Sequence, residues 1–158
     1  EYRRQRQMCI RDRIDIGTGT GVLAIAAARA LRAFVASGDI DPVAVEAARS
    51  NALLNRTNAF VRPVVAKGVS HPALMMSHHY DLVFANILAR PLIKLAPSIA
   101  KIASPDADIV LSGLLAHDVP GVVNAYGQQG WHLQKRINLE GWAALLLHRV
   151  AGHPLTRF

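Results

Sequence analysis

Asp15-Ile16-Gly17-Thr18-Gly19-Thr20-Gly21 sets three glycines at alternate positions behind a carboxylate, between a β-branched run and a long alanine-rich stretch. Glycines there let the backbone turn sharply and approach a bound molecule, and the helix that follows offers unpaired N–H groups at its start. The spacing is G-x-G-x-G. It differs from the G-x-G-x-x-G that seats a dinucleotide pyrophosphate, and no Lys-Ser/Thr pair follows to make a phosphate loop. Asp15, Gly17, Gly19 and Gly21 are therefore candidate cofactor-binding residues, with a tight strand-to-helix turn that holds no ligand as the competing reading.

Two further residues point to the same place. Asp39 lies 22 positions beyond Gly17 at the end of the second apolar run. In doubly wound nucleotide folds an acidic side chain at about that distance accepts hydrogen bonds from ribose hydroxyls. Asp41 is better employed as the cap of a helix starting at Pro42, since its carboxylate can take an orphan N–H and proline lacks one. Asn86 ends the run Asp81–Asn86, and ligands of open α/β sheets bind outside the carboxyl ends of strands. Taken alone, Asn86 reads as a helix cap; a solvated carboxylate is the competing reading of Asp39, which the spacing disfavours. Taken with the glycines, all three converge on one rim.

The elements that must position them alternate. Short β-branched runs at Arg13–Ile16, Ala33–Ser37, Ala59–Val65, Asp81–Asn86, Asp108–Ser112, Trp131–Asn138 and Trp142–Arg149 read as strands. Helical periodicity occupies Thr20–Leu31, Pro42–Asn55, Arg90–Ile102 and about Ala116–Gln129, while Ala66–His79 reads as loop with a short helical turn. This predicts a doubly wound α/β fold with a mostly parallel seven-stranded sheet. The last two runs are separated only by Leu139-Glu140-Gly141, which predicts an antiparallel C-terminal hairpin, an arrangement closer to the methyltransferase variant of the Rossmann-like fold than to the all-parallel dinucleotide fold.

The 158 residues are 51% hydrophobic and 18% charged, enough for one globular core, and no apolar run approaches the length of a membrane span. The formal charge is +7. Residues 1–13 hold five Arg against Glu1 and Asp12, so +4 is spread over the rest with no basic run, which gives only weak support for nucleic-acid binding, and no direct nucleic-acid contact is expected. That opening segment has no element periodicity and reads as non-native sequence or a linker; residues 14–150 read as the folded domain and 151–158 as a tail. Cys9 is the single cysteine, so one chain can build no disulfide or thiol pair. His71, His78 and His79 lack acidic or cysteine partners at ligand spacing, and no metal is expected.

The segment from Ile14 to about Arg149 resembles the ribosomal protein L11 methyltransferases. The likeness is carried by Asp15–Gly21 running into Val22-Leu23-Ala24-Ile25-Ala26-Ala27-Ala28, by Asp39-Ile40-Asp41-Pro42, by Ala85-Asn86-Ile87-Leu88-Ala89 with Pro91-Leu92, and by Leu111-Ser112-Gly113-Leu114-Leu115. It implies S-adenosylmethionine as cofactor, transfer of methyl groups to amino groups of a ribosomal protein, a cytoplasmic location, and the catalytic domain only. It implies further that Gly17 lines the cofactor, that Asp39 holds its ribose, and that Asn86 sits at the methyl-transfer centre, as the catalytic candidate and as a cofactor-binding candidate too. Asn86 is followed by Ile-Leu-Ala in place of a Pro-Pro-aromatic run, which favours an aliphatic amine as acceptor. The family's upstream substrate-recognition domain and a threonine-bearing segment have no counterpart here, and Arg13 stands at an apolar first-strand position. A monomer is expected. The alternatives are a truncated fragment that only binds cofactor and, less well supported, an NAD-binding oxidoreductase domain.

Overall fold

Each of the first five apolar runs is followed by a segment that carries the chain back to the same end of the sheet, so these runs pair in parallel. The computed structural model describes residues 12–77 and 79–150. Its parallel strands are β1 (Asp12–Ile16), β2 (Ala36–Asp39), β3 (Val64–Val65), β4 (Tyr80–Asn86) and β5 (Ala103–Leu115). Between them run α1 (Val22–Leu31), α2 (Pro42–Leu54), the one-turn α3 (Pro72–Met75) and α4 (Ala89–Ile102). A 3-10 turn at Ala116–Asp118 leads into α5 (Val119–Gly127) and then the antiparallel hairpin of β6 (Trp131–Leu139) and β7 (Trp142–Arg149). The strand order is β3-β2-β1-β4-β5-β7-β6, with β7 antiparallel to β5. This is the expected seven-stranded doubly wound sheet.

The order reverses between β1 and β4, because the chain winds outward through β2 and β3 before returning to the other side of β1. At such a switch point the flanking connections diverge and leave a crevice at the carboxyl ends of the strands. The core that supports this crevice has two parts. On one face Ile14, Ile16, Val83, Ile109, Leu111 and Leu145 pack against α4 and α5, where Leu92, Ile99 and Val122 are fully buried. On the other, Ala24, Ile25 and Ala28 of α1 meet Ala52 of α2, Val35 and Val61, with Phe84 packed against them. Small alanines on α1 and α2 let both helices lie close to the sheet.

Several boundaries differ from expectation for identifiable reasons. The third strand shrinks to Val64–Val65, with Val61 making only an isolated bridge to Val35. Pro63 has no N–H to donate and interrupts the ladder. β2 runs later than predicted and ends at Asp39 itself. α1 starts at Val22, because Gly21 precedes it in the left-handed region at φ 85°. β5 extends from the end of α4 through Leu115, well beyond Asp108–Ser112. β1 begins at Asp12, so the last two residues of the segment 1–13 are paired with β4. Residues 1–11 and the tail 151–158, with Cys9, His78 and His153, lie outside the described residues.

Candidate functional site

The glycine turn is held from below and from the side. Asp15, only 1% exposed, turns its carboxylate under the turn. Its Oδ2 accepts from Thr18 Oγ1 at 2.7 Å and from the Ala24 N–H at 3.2 Å. Gly21 has no side chain with which to cap α1, so a carboxylate nine residues before Ala24 takes one of the helix's orphan donors. The Gly17 and Thr18 N–H groups both donate to the Gly38 carbonyl, at 2.9 and 3.0 Å, which pins the turn to β2. Burial pushes the Asp15 carboxyl up to about 6, and the hydrogen bonds from Thr18 and Ala24 only partly offset it. Its Oδ1 is buried with no hydrogen-bond partner among the described residues.

The three glycines serve different ends. Gly17, at φ 68°, lies so close to the Ile87 side chain that any Cβ would collide with it. Gly19 faces open space and gives its N–H to Asp39 Oδ2 at 2.8 Å. Gly21 packs on α2, where a Cβ would press against Ala48.

Asp39, half-buried at the end of β2, is thereby tied to the turn; its Oδ1 accepts the Asp41 N–H at 3.0 Å. Asp41 caps α2 as expected, its Oδ1 accepting from Val43 N at 2.9 Å. The Asp39 carbonyl takes the Ala66 N–H at 2.8 Å and so draws residues 66–68 to the rim. Gly17 and Asp39 then line a cleft of about 490 Å³ over the β1/β4 switch point. Its walls are mostly apolar: Ile40 and Leu88 border it as exposed side chains, together with Ile87, Pro91 and Leu95. Lys67 and Lys94 stand at the same opening.

Asn86 closes β4 with its side chain exposed, one strand across from Ser112. It stands beside the cleft and is not among the lining residues. No side-chain hydrogen bond engages its amide among the described residues. Of the sequence-derived set, Gly17 and Asp39 line the cleft, Gly19 and Asp15 hold those two in place, Gly21 seats α1 on α2, and Asn86 stands on the adjoining rim. Reasoning from sequence overlooked the apolar walls. Ile40 and Leu88 immediately follow Asp39 and Ile87, and apolar residues at the carboxyl ends of strands beside a glycine turn are the signal that would have shown them. His71 caps α3, its Nδ1 accepting from the Ala73 N–H at 3.0 Å.

The sequence model of the family described as Ribosomal protein L11 methyltransferase (PrmA) matches residues 3–150. A ribosomal protein L11 methyltransferase of Bradyrhizobium diazoefficiens is 46% identical over 137 residues, which are 87% of this chain and 46% of that protein. The namesake from a Chelativorans species is 44% identical over 139 residues, 88% of this chain and 48% of its own length. The chain thus spans about half the length of the curated relatives it matches. Among solved structures, the ribosomal protein L11 methylase of Lactobacillus delbrueckii subsp. bulgaricus superposes with a TM-score of 0.81 at 26% identity, over 92% of this chain and 74% of that one. An RNA methyltransferase from Salinibacter ruber, solved with S-adenosyl-L-homocysteine, shares the fold at a TM-score of 0.69 and 22% identity, over 96% and 92%. A tethered glycine turn, a carboxylate at the end of β2 and an antiparallel closing hairpin, on a chain so matched, lead to one assignment: it belongs to the ribosomal protein L11 methyltransferase family.

Proposed function

We propose that this domain binds S-adenosylmethionine in the Gly17–Asp39 cleft and directs its methyl group to amino groups, lysine side chain or N-terminus, of ribosomal protein L11. The observation that carries the reading is the Asp39 carboxylate, fixed by the Gly19 and Asp41 N–H groups while lining a mostly apolar cleft with the bare backbone of Gly17. The residues present fit the cofactor. Each Asp39 oxygen spends one lone pair on the backbone and keeps another for a vicinal hydroxyl. Ile40, Leu88 and Leu95 offer apolar surface to a flat base, and the glycine backbone leaves room for close approach.

When bound, S-adenosylmethionine supplies a methyl group on a sulfonium, which an amine takes by direct displacement. The protein's task is then alignment and exclusion of water. Asp39 and the Gly17 turn hold the donor's nucleoside end. Asn86, on the adjoining rim and without a side-chain hydrogen bond among the described residues, presents its side-chain oxygen to an incoming N–H and orients the amine. Deprotonation of an amine with an ordinary pKa near 10 proceeds to solvent or in a desolvated site, and no side chain here has to act as base.

Family membership supports L11 as the partner and the cytoplasm as the location. Among the described residues no helix is long and apolar enough to cross a membrane. We further propose a monomer that makes no direct contact with nucleic acid, its basic residues being scattered. Calorimetric titration with S-adenosylhomocysteine tests the reading. Binding by the parent chain that is lost in Asp39→Ala, with none for NAD, supports it; a folded chain that binds NAD in preference, or neither ligand, overturns it.

A further inference from the structure

β5 carries an irregularity where it passes Asn86. Leu111 pairs with Leu145 and Leu114 with Ala143, so Ser112 and Gly113 together stand opposite Ala144 alone. Two residues facing one is a β-bulge, a device that bends a strand and re-aims what lies beside it. Gly113 holds the bulge in the left-handed region, at φ 74°. On the opposite edge of the same strand Ser112 keeps its register with Asn86.

The bulge brings the Gly113 backbone against the Asn86 side chain. A Cβ placed on Gly113 would stand 2.5 Å from Asn86 Oδ1 and 3.6 Å from its Cγ. Because no hydrogen bond among the described residues holds the Asn86 amide, nothing but packing sets its direction there. Oδ1 reaches into the space that a Cβ on Gly113 would fill.

We infer that Gly113 is a positioning residue for Asn86: the bulge at Ser112–Gly113 and the absence of a Cβ fix the direction in which the Asn86 amide faces its acceptor. The inference deepens the proposed function and rests on it for its catalytic meaning, while the steric coupling stands on geometry alone. A side chain at position 113 would turn the Asn86 oxygen away and spare the cleft formed by Gly17 and Asp39, since neither residue lines it. Gly113 therefore governs transfer more than cofactor affinity.

The test compares the parent chain with Gly113→Ala, Asn86→Ala and the double variant. The first readout is the Asn86 side-chain NH2 resonance pair, assigned by its disappearance in Asn86→Ala and followed with and without S-adenosylhomocysteine. The expected result is a pair displaced in ligand-free Gly113→Ala, with S-adenosylhomocysteine affinity within about threefold of the parent. An unmoved pair overturns the inference. The second readout is the urea unfolding midpoint. If the Cβ strikes Asn86, Gly113→Ala lowers the midpoint less in the Asn86→Ala background than in the parent; an equal loss in both places the whole cost in the backbone and overturns it. A parent chain that bound no S-adenosylhomocysteine would defeat the cofactor reading, and the ligand-free resonances and the unfolding cycle would still decide the positioning.

Discussion

The Gly19 N–H donates to Asp39 Oδ2 at 2.8 Å across a separation of 20 residues, so the turn after β1 and the end of β2 form one rigid rim. Asp39 thus holds the turn, and in the proposed function it also meets the ligand's hydroxyls. Asp39→Ala should weaken S-adenosylhomocysteine by tenfold or more, about 1.4 kcal/mol or greater. Asp39→Asn, which retains one acceptor oxygen, should lose less. Calorimetry on both variants checks the ordering, and equal affinities in parent and Asp39→Ala would remove the carboxylate from the site.

Gly17→Ala places a methyl group into Ile87 in a backbone region that L-residues avoid. The backbone strain alone costs about 1–2 kcal/mol, and the collision adds to it. We expect lowered stability and no measurable cofactor binding. Combining it with Ile87→Ala should recover part of the stability, because the clash is then removed and the strain alone stays; thermal melting of the pair against the single variant reads this directly.

Asp15 gives the domain a pH dependence of definite sign. Its folded pKa is raised to about 6 from an ordinary 3.8, so the folded state holds the proton more tightly. The stability linked to it is fully present below about pH 4 and is lost as the pH rises through about 6. Oδ2 already accepts two hydrogen bonds, which leaves Oδ1 as the seat of the proton. Asp15→Asn should abolish this slope. The difference between parent and variant in urea-derived stability should change by about 2 kcal/mol from pH 4 to pH 7, and parallel curves would refute the assignment.

Asp41 contributes to the site through its backbone and to α2 through its side chain. Asp41→Ala should therefore cost about 1 kcal/mol of stability as a lost N-cap. Cofactor affinity should stay within about twofold of the parent, since the N–H that reaches Asp39 is retained. A large loss of affinity would show that α2 must be capped for the rim to form.

The fold class was legible because apolar periodicity records which faces are buried. Asp41-Pro42 marked the start of α2 to the residue, and the three-residue gap before Trp142 marked the hairpin. Proline at position 63 obscured the third strand: the composition Ala59–Val65 is that of a strand, yet the missing N–H permits only Val64–Val65 to pair. The candidate site was visible in its polar members, Asp39 and the glycines, whose types are unusual where they stand, and the structure brings these residues together. The division of labour among those glycines was not, since it depends on Ile87, Ala48 and Asp39 arriving from elsewhere. Gly113 was visible as part of a motif, but its contact with Asn86 exists only once β5 pairs with β4 on one edge and bulges against β7 on the other.

The strand order also sets the tempo at which this molecule assembles. β6 and β7 are neighbours in the chain and can zip on a timescale of about 1–10 μs. β1 must instead find β4, with Ile14 beside Val83 across 69 residues. Closing so long a loop costs entropy before any contact repays it, and such pairings slow folding. The glycine turn is contiguous in sequence, yet its supports, Gly38, Asp39 and Ile87, lie on both sides of that closure. Pulse-labelled hydrogen exchange during refolding should accordingly protect the hairpin amides first and the Gly17 and Gly19 amides last, so that a cofactor-competent cleft appears only at the end of folding; simultaneous protection of both regions would argue for a single cooperative step.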